Sequence, residues 1–142
     1  NYPGLKGDKY YETAKKYMPN GGCGVVSFEL KGGRRAAETF MKHLKLAAIE
    51  THVADARTCC LNPATSTHRQ MTEQQLMEAG VPAGLVRISC GLEDKEDLIA
   101  DLAQALARIE ALAYGKSGDG KEIPGHEEVG MIRGIAGEYG IN

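Results

Sequence analysis

The sequence predicts an α+β domain: one small, largely antiparallel sheet with helices packed on one face. Segments of helical and strand period follow one another in the order α, β, α, β, β, α, β, α, without internal repeats. Some strands are joined through helices and others through short turns, which suggests this mixed layering. Arg87 stands in the middle of a strand pattern, Leu85 to Cys90. Buried positive charge is costly unless an anion meets it, so an anion is expected there.

The elements follow in order. Asn1 to Gly7 reads as a turn-rich start, and Asp8 as the N-cap of a helix to about Met18. Its apolar face would be Tyr10, Ala14, Tyr17 and Met18, and Pro19-Asn20-Gly21-Gly22 would stop it. Gly24 to Leu30 alternates, with Val26, Phe28 and Leu30 on one face, as a half-buried strand does. Gly32-Gly33 turns the chain into a helix from about Arg34 to Leu46, striped by Ala37, Phe40, Met41 and Leu44. Two short extended runs follow, Ala47 to Val53 and Thr58 to Leu61, and Pro63 ends the second. Thr72-Glu73-Gln74-Gln75 has the form of a capping box, opening a short helix that Gly80 and Pro82 close. In the strand Leu85 to Cys90, Val86, Ile88 and Cys90 share one face and Leu85, Arg87 and Ser89 the other. Asp94 then caps the clearest helix, whose stripe runs through Leu98, Ile99, Leu102, Ala105, Leu106, Ile109 and Leu112 to about Tyr114. If helices cover the Val86 face, the Arg87 face looks outward, as one wall of a site shared with another domain.

Gross composition excludes several classes. A chain of 142 residues is one domain with room for a real core. A net charge of −2 gives no field for nucleic acid or an anionic membrane. No apolar run approaches a membrane span, and no charged-then-apolar leader opens the chain, so a cytoplasmic location is expected. The absence of Met before Asn1-Tyr-Pro-Gly-Leu5 reads as a piece of a longer polypeptide, or as trimming. Cys23, Cys59, Cys60 and Cys90 form no Cys-x-x-Cys pair, so no metal site or disulfide framework is expected. They read as small buried hydrophobes under reducing conditions, with Cys59 and Cys60 on opposite faces of a strand.

Arg87 is the foremost site candidate, because its planar fork matches a carboxylate with a pair of hydrogen bonds. The competing reading is a salt bridge to a neighbouring acid. His52 and His68 are candidates for general base or metal ligand. His68, after Thr65-Ser66-Thr67, reads better as the tie of a turn, whereas His52 ends a strand and could face a cleft. Lys31-Gly32-Gly33 lacks the ending of a phosphate loop. The run Asp94-Lys95-Glu96-Asp97 is a solvated helix start.

Several stretches together resemble one family. They are Asn1-Tyr-Pro-Gly-Leu5, Gly24 to Gly33, Asn62-Pro-Ala-Thr-Ser-Thr-His68, and Leu85-Val-Arg-Ile-Ser-Cys-Gly-Leu-Glu-Asp94 with Asp97 to Leu102. They resemble the C-terminal part of the Cys/Met-metabolism enzymes that depend on pyridoxal phosphate, with the O-acetylhomoserine sulfhydrylases as the nearest branch. The likeness covers Asn1 to about Leu112. It implies that residues 1–115 are the small C-terminal domain of a fold-type I enzyme, including its leading helix, with 116–142 a Gly-rich tail. In that tail Val129, Ile132 and Ile135 fit either a docked short helix or a mobile segment.

The implied reaction replaces the acetate of O-acetylhomoserine with sulfide or a thiol, for homocysteine and methionine biosynthesis. Arg87 would grip the substrate α-carboxylate, and His52 would stand beside substrate and cofactor where relatives carry Ser or Asn. Thr58 stands where Ser is common, and Asn62 where His is common. The Schiff-base lysine, the aspartate facing the cofactor ring and the main phosphate-binding residues would precede Asn1. This segment would then supply no catalytic or cofactor-binding residue and be inactive alone. Its partners would be its own N-terminal domain, an amino-acid substrate and, at full length, the other subunits of a tetramer. Alternatives are a sister activity, cystathionine γ-synthase or a γ-lyase, or a free-standing amino-acid-binding or assembly module.

Overall fold

The structure, a computed structural model, describes residues 1–114, with side chains to residue 109. Its frame is a sheet of four strands in the order β1-β4-β3-β2. Central β4 (Leu85–Ser89) pairs antiparallel with β1 (Val25–Glu29) and with β3 (Cys59–Leu61), while β2 (Ala48–Ile49) adds parallel to β3. The expected largely antiparallel sheet is what forms. Register sets the faces, because residues opposite one another share a side. Arg87 lies opposite Ser27 on β1 and Leu61 on β3, and Ser89 lies opposite Val25 and Cys59.

The other face carries Phe28, Val86, Ile88 and Cys60, and on it pack α2 (Gly33–His43) and α4 (Lys95–Tyr114). Phe40, Ala37 and Met41 of α2 meet Ala105 of α4 and the sheet in one core. Phe28 and Phe40 stack edge to face at 5.8 Å, a favoured arrangement of ring quadrupoles. Burial pushes the Cys60 thiol to about 12, so it behaves as a core hydrophobe. As predicted, Cys59 points to the opposite face, outside this core cluster.

Helix starts governed by short-range contacts form as the sequence predicts at Thr72 and Asp94. Thr72 and Gln75 form the reciprocal capping box of α3 (Glu73–Glu78), and Gly80 closes it at φ +69°. Asp94 Oδ1 accepts from the Glu96 and Asp97 N–H groups at the start of α4.

Other expectations need correction. Asp8 does not cap α1 (Tyr11–Tyr17), because its carboxylate accepts from Tyr10 N in a tight turn before the helix. The predicted apolar face of that helix is not buried either: Tyr10 and Tyr17 are 57% and 71% exposed, and only Ala14 is inside. Helix α2 stops at His43 rather than Leu46, since Leu44 is already extended. Cys90 lies beyond the end of β4 and is exposed, as is Cys23. All four cysteines are free thiols, so only Cys59 and Cys60 fit the buried reading. The 116–142 tail, and the Leu112 and Tyr114 side chains of the predicted stripe, lie outside the described residues. No described helix is long and apolar enough to cross a membrane.

Helix α2 leads into β2 through a connection held by one carboxylate. Asp101, 6% exposed on α4, accepts from Lys45 N, Leu46 N and Ala47 N at 2.8, 2.8 and 3.0 Å. Gln104 adds bonds to the same carboxylate and to the His43 carbonyl. Burial opposes ionisation of Asp101, but the N–H donors of Ala47, Lys45 and Leu46 outweigh it and hold its pKa below the ordinary 3.8. Its stabilisation is therefore present above the unfolded value of 3.8 and lost as pH falls through the lower folded one. Asp101→Ala leaves those donors unpaired and is expected to cost about 2–3 kcal/mol in denaturant unfolding at neutral pH. The difference from wild type should shrink on acidification, and an unchanged midpoint at neutral pH would contradict this anchoring role.

Candidate functional site

The Arg87 face is not open, as the sequence reading had it. The segment after β2 crosses it. Arg87 is half-buried, and its Nη2 donates to the carbonyls of Thr51 (2.8 Å) and His52 (3.1 Å). Its Nε–H is buried without any partner. Among the described residues no carboxylate pairs with it, so the salt-bridge alternative is not what forms. A buried, unpaired charged donor is rare.

Further contacts seat the crossing segment. Ala54 N donates to Ser89 Oγ at 3.0 Å, one β4 position of the same face beyond Arg87. Ala54 does so at φ +59°, the one left-handed non-glycine among the described residues. Thr58, which is buried, donates from N and from Oγ1 to the Glu93 carboxylate, both at 2.7 Å. Its Oγ1 also accepts from Gly91 N at 2.8 Å. These hydrogen bonds from Thr58 hold the Glu93 carboxyl below its usual range. Gly91 must be glycine here: a Cβ would meet Ala56 O and Arg57 C at 2.5 Å.

His52 reaches this site through its backbone. Its imidazole turns away to a charged cluster, with Nδ1 3.2 Å from Glu50 and 3.5 Å from Asp55. Arg57 lies 3.8 Å from Glu50. The Asp55 carboxyl is held low, chiefly by the Arg57 N–H and then by His52 and Arg57 charge against some burial. Cys59 lies beneath, its thiol raised by burial and by Asp55 and Glu50. His68 is elsewhere, its ring 2.8 Å from Thr67 Oγ1 and its N–H bonded to Pro63 O in the turn after the 3-10 segment Pro63–Thr65. That is the turn-tying role. Asn62, buried, binds the Ala83 and Leu85 carbonyls and accepts from Thr65 N, so it fixes the end of β3 against β4. Ser89, Thr51, Glu93 and Thr58 were not singled out as site-builders, because their partners lie 33–36 residues away and leave no local pattern.

Comparison with known proteins gives consistent matches. The family profile described as Cys/Met metabolism PLP-dependent enzyme matches residues 1–107. An O-acetyl-L-homoserine sulfhydrylase of Leptospira meyeri is 44% identical over 110 residues, 77% of this chain and 25% of that protein. An L-methionine gamma-lyase of Fusobacterium nucleatum is 45% identical over 108 residues, 76% of this chain and 27% of that protein. Among solved structures, a Campylobacter jejuni protein named as an O-acetylhomoserine (thiol)-lyase, holding a pyridoxyl-lysine phosphate, superposes at TM-score 0.68 with 36% identity. It is covered over 75% of this chain and 25% of that one. Cystathionine gamma-lyase of Lactobacillus plantarum, complexed with L-serine, gives 0.67 and 31%, over 77% of this chain and 28% of that one. The chain thus spans about a quarter of the length of these relatives.

The strained residue of the crossing segment offers a test. Left-handed backbone costs alanine roughly 1–2 kcal/mol, and glycine's added unfolded entropy returns about half of that. Ala54→Gly is therefore expected to raise unfolding stability by about 0.5–1 kcal/mol in denaturant titration. A destabilised variant would place the segment in another conformation.

Proposed function

Since the chain belongs to the Cys/Met-metabolism enzymes that depend on pyridoxal phosphate, we propose that it forms the small C-terminal domain of such an enzyme, an O-acetylhomoserine sulfhydrylase. Residues 1–115 would be that domain and 116–142 a tail. The reaction would exchange the acetate of O-acetylhomoserine for sulfide or a thiol. Pyridoxal phosphate, when bound, supplies the electron sink for the chemistry at the substrate's carbons. The observation that carries the reading is the buried, partnerless Nε–H of Arg87.

That donor fits a carboxylate on the amino-acid substrate. With Nη2 fixed by the Thr51 and His52 carbonyls, the fork is held in one orientation before substrate arrives, which lowers the ordering cost of binding. The carboxylate would complete the guanidinium's hydrogen bonds in place of water. His52 contributes here by its carbonyl, while its side chain is held apart by Glu50 and Asp55.

The cofactor's own attachment fits other parts of the enzyme. The paired strand positions on the Arg87 face are Val25, Ser27, Glu29, Leu85, Arg87, Ser89, Cys59, Leu61 and Ala48, and none is a lysine. In this reading the Schiff-base lysine and phosphate site would lie in the N-terminal domain, with which this domain would share the active site inside a tetramer in the cytoplasm. Alone, this chain is expected to show no turnover.

A second reading has support in the methionine gamma-lyase of comparable identity. In the full-length enzyme, acetate release from O-acetylhomoserine with sulfide, set against elimination from methionine, separates the two. Arg87→Ala in that enzyme is expected to raise the substrate KM about 10–100-fold, the worth of a charge-assisted hydrogen bond, and Arg87→Lys should not restore it. Lower thermal stability with KM unchanged would reduce Arg87 to a structural role.

A further inference from the structure

We propose that Glu50, His52 and Cys59 form a binding site for a borderline divalent cation of the zinc class. These side chains are separate from the carboxylate clamp of Arg87. One ligand atom from each residue lies within 4.8 Å of the others. Topology brings them together. Strand β2 pairs parallel with β3, Ala48 opposite Cys59, and Glu50 N continues that ladder onto Cys60 O. Glu50 and Ala48, two positions apart, therefore project to the side on which Cys59 lies. His52, two residues further on, brings its ring to the Glu50 carboxylate.

The His52–Glu50 pair already has about the donor spacing a small cation takes, and Cys59 closes in from within 4.8 Å. Zinc takes sulfur at about 2.3 Å and nitrogen or oxygen at about 2.0–2.2 Å, which separates tetrahedral donors by about 3.3–3.8 Å. His52 Nδ1 already stands 3.2 Å from Glu50 Oε2, and the fourth position is left to water. The thiol forms the buried floor, while imidazole and carboxylate form the accessible rim. Charge favours a cation as well: two carboxylates share one imidazole, and the Arg57 guanidinium at 3.8 Å is an exposed, weak partner. A thiolate with an imidazole selects zinc over magnesium or calcium. On binding, the Cys59 S–H bond breaks, its proton passes to solvent and a metal–sulfur bond forms. The rival arrangement is a protonated His52 bridging the carboxylates without metal.

The test uses the whole chain in a Cys23→Ser, Cys90→Ser background, which removes the exposed thiols. Cobalt(II) serves as the spectroscopic probe and zinc as its competitor. A thiolate-to-cobalt charge-transfer band, displaced by zinc and not by magnesium, is the expected result, and Cys59→Ser should abolish it. Because Cys59 is buried, Glu50→Gln at the rim supplies a variant that keeps the core intact. It should weaken zinc binding by more than the roughly tenfold that loss of an outer-shell partner costs, with circular dichroism unchanged. No charge-transfer band with Cys59 present, or zinc affinity indifferent to both Cys59→Ser and Glu50→Gln, would overturn the proposal and leave the histidine-bridged ion pair.

Discussion

A guanidinium in the central strand of a small sheet must be hydrogen-bonded or it destabilises the fold. Arg87 is met only in part. The Thr51 and His52 carbonyls take Nη2, and Nε is left buried and unpaired. Much else in the domain serves this arrangement. The 51–57 segment must cross β4, so Ala54 adopts φ +59° to reach Ser89, and Gly91 makes room beneath Ala56. The Thr58–Glu93 bonds tie the far end of the segment to the start of α4. At the near end Asp101 holds the connection from α2 into β2. The two helices on the opposite face make that platform rigid.

Much of this frame is legible in the chain. Period-two alternation placed β1 and β4, apolar stripes placed α2 and α4, and Thr72 with Gln75 marked the start of α3. Arg87 stood out because charge within a strand needs a partner, which is a local contradiction that a sequence shows openly. Long-range polar contacts leave no such trace. Asp101 looks like any helix acid until three N–H groups from the α2–β2 connection are found on it. Thr58 and Glu93 are likewise ordinary residues made special by contacts 35 positions apart. His52 was singled out for its ring, yet its carbonyl meets Arg87 and its ring meets Glu50 and Asp55. Helix α1 misled by its own period: Tyr10 and Tyr17 align on one side, but no described element covers them.

The unsatisfied donor and the exposed α1 face are the features to which the proposed neighbouring domain answers. The chain matches about a quarter of the length of its relatives. Under the proposed division of labour, a compact sheet would orient the carboxylate clamp while the cofactor is gripped elsewhere, and closing the two around substrate would exclude water from both.

The central claim is that Arg87 Nε–H awaits a carboxylate. The most direct measurement is the nitrogen-15 NMR signal of that group in the full-length enzyme, with and without a substrate-like amino acid. On binding, the account predicts a downfield proton shift and slowed solvent exchange at Arg87 Nε–H, absent with the corresponding amine that lacks the carboxylate. A signal that responds equally to both compounds, or to neither, would contradict it.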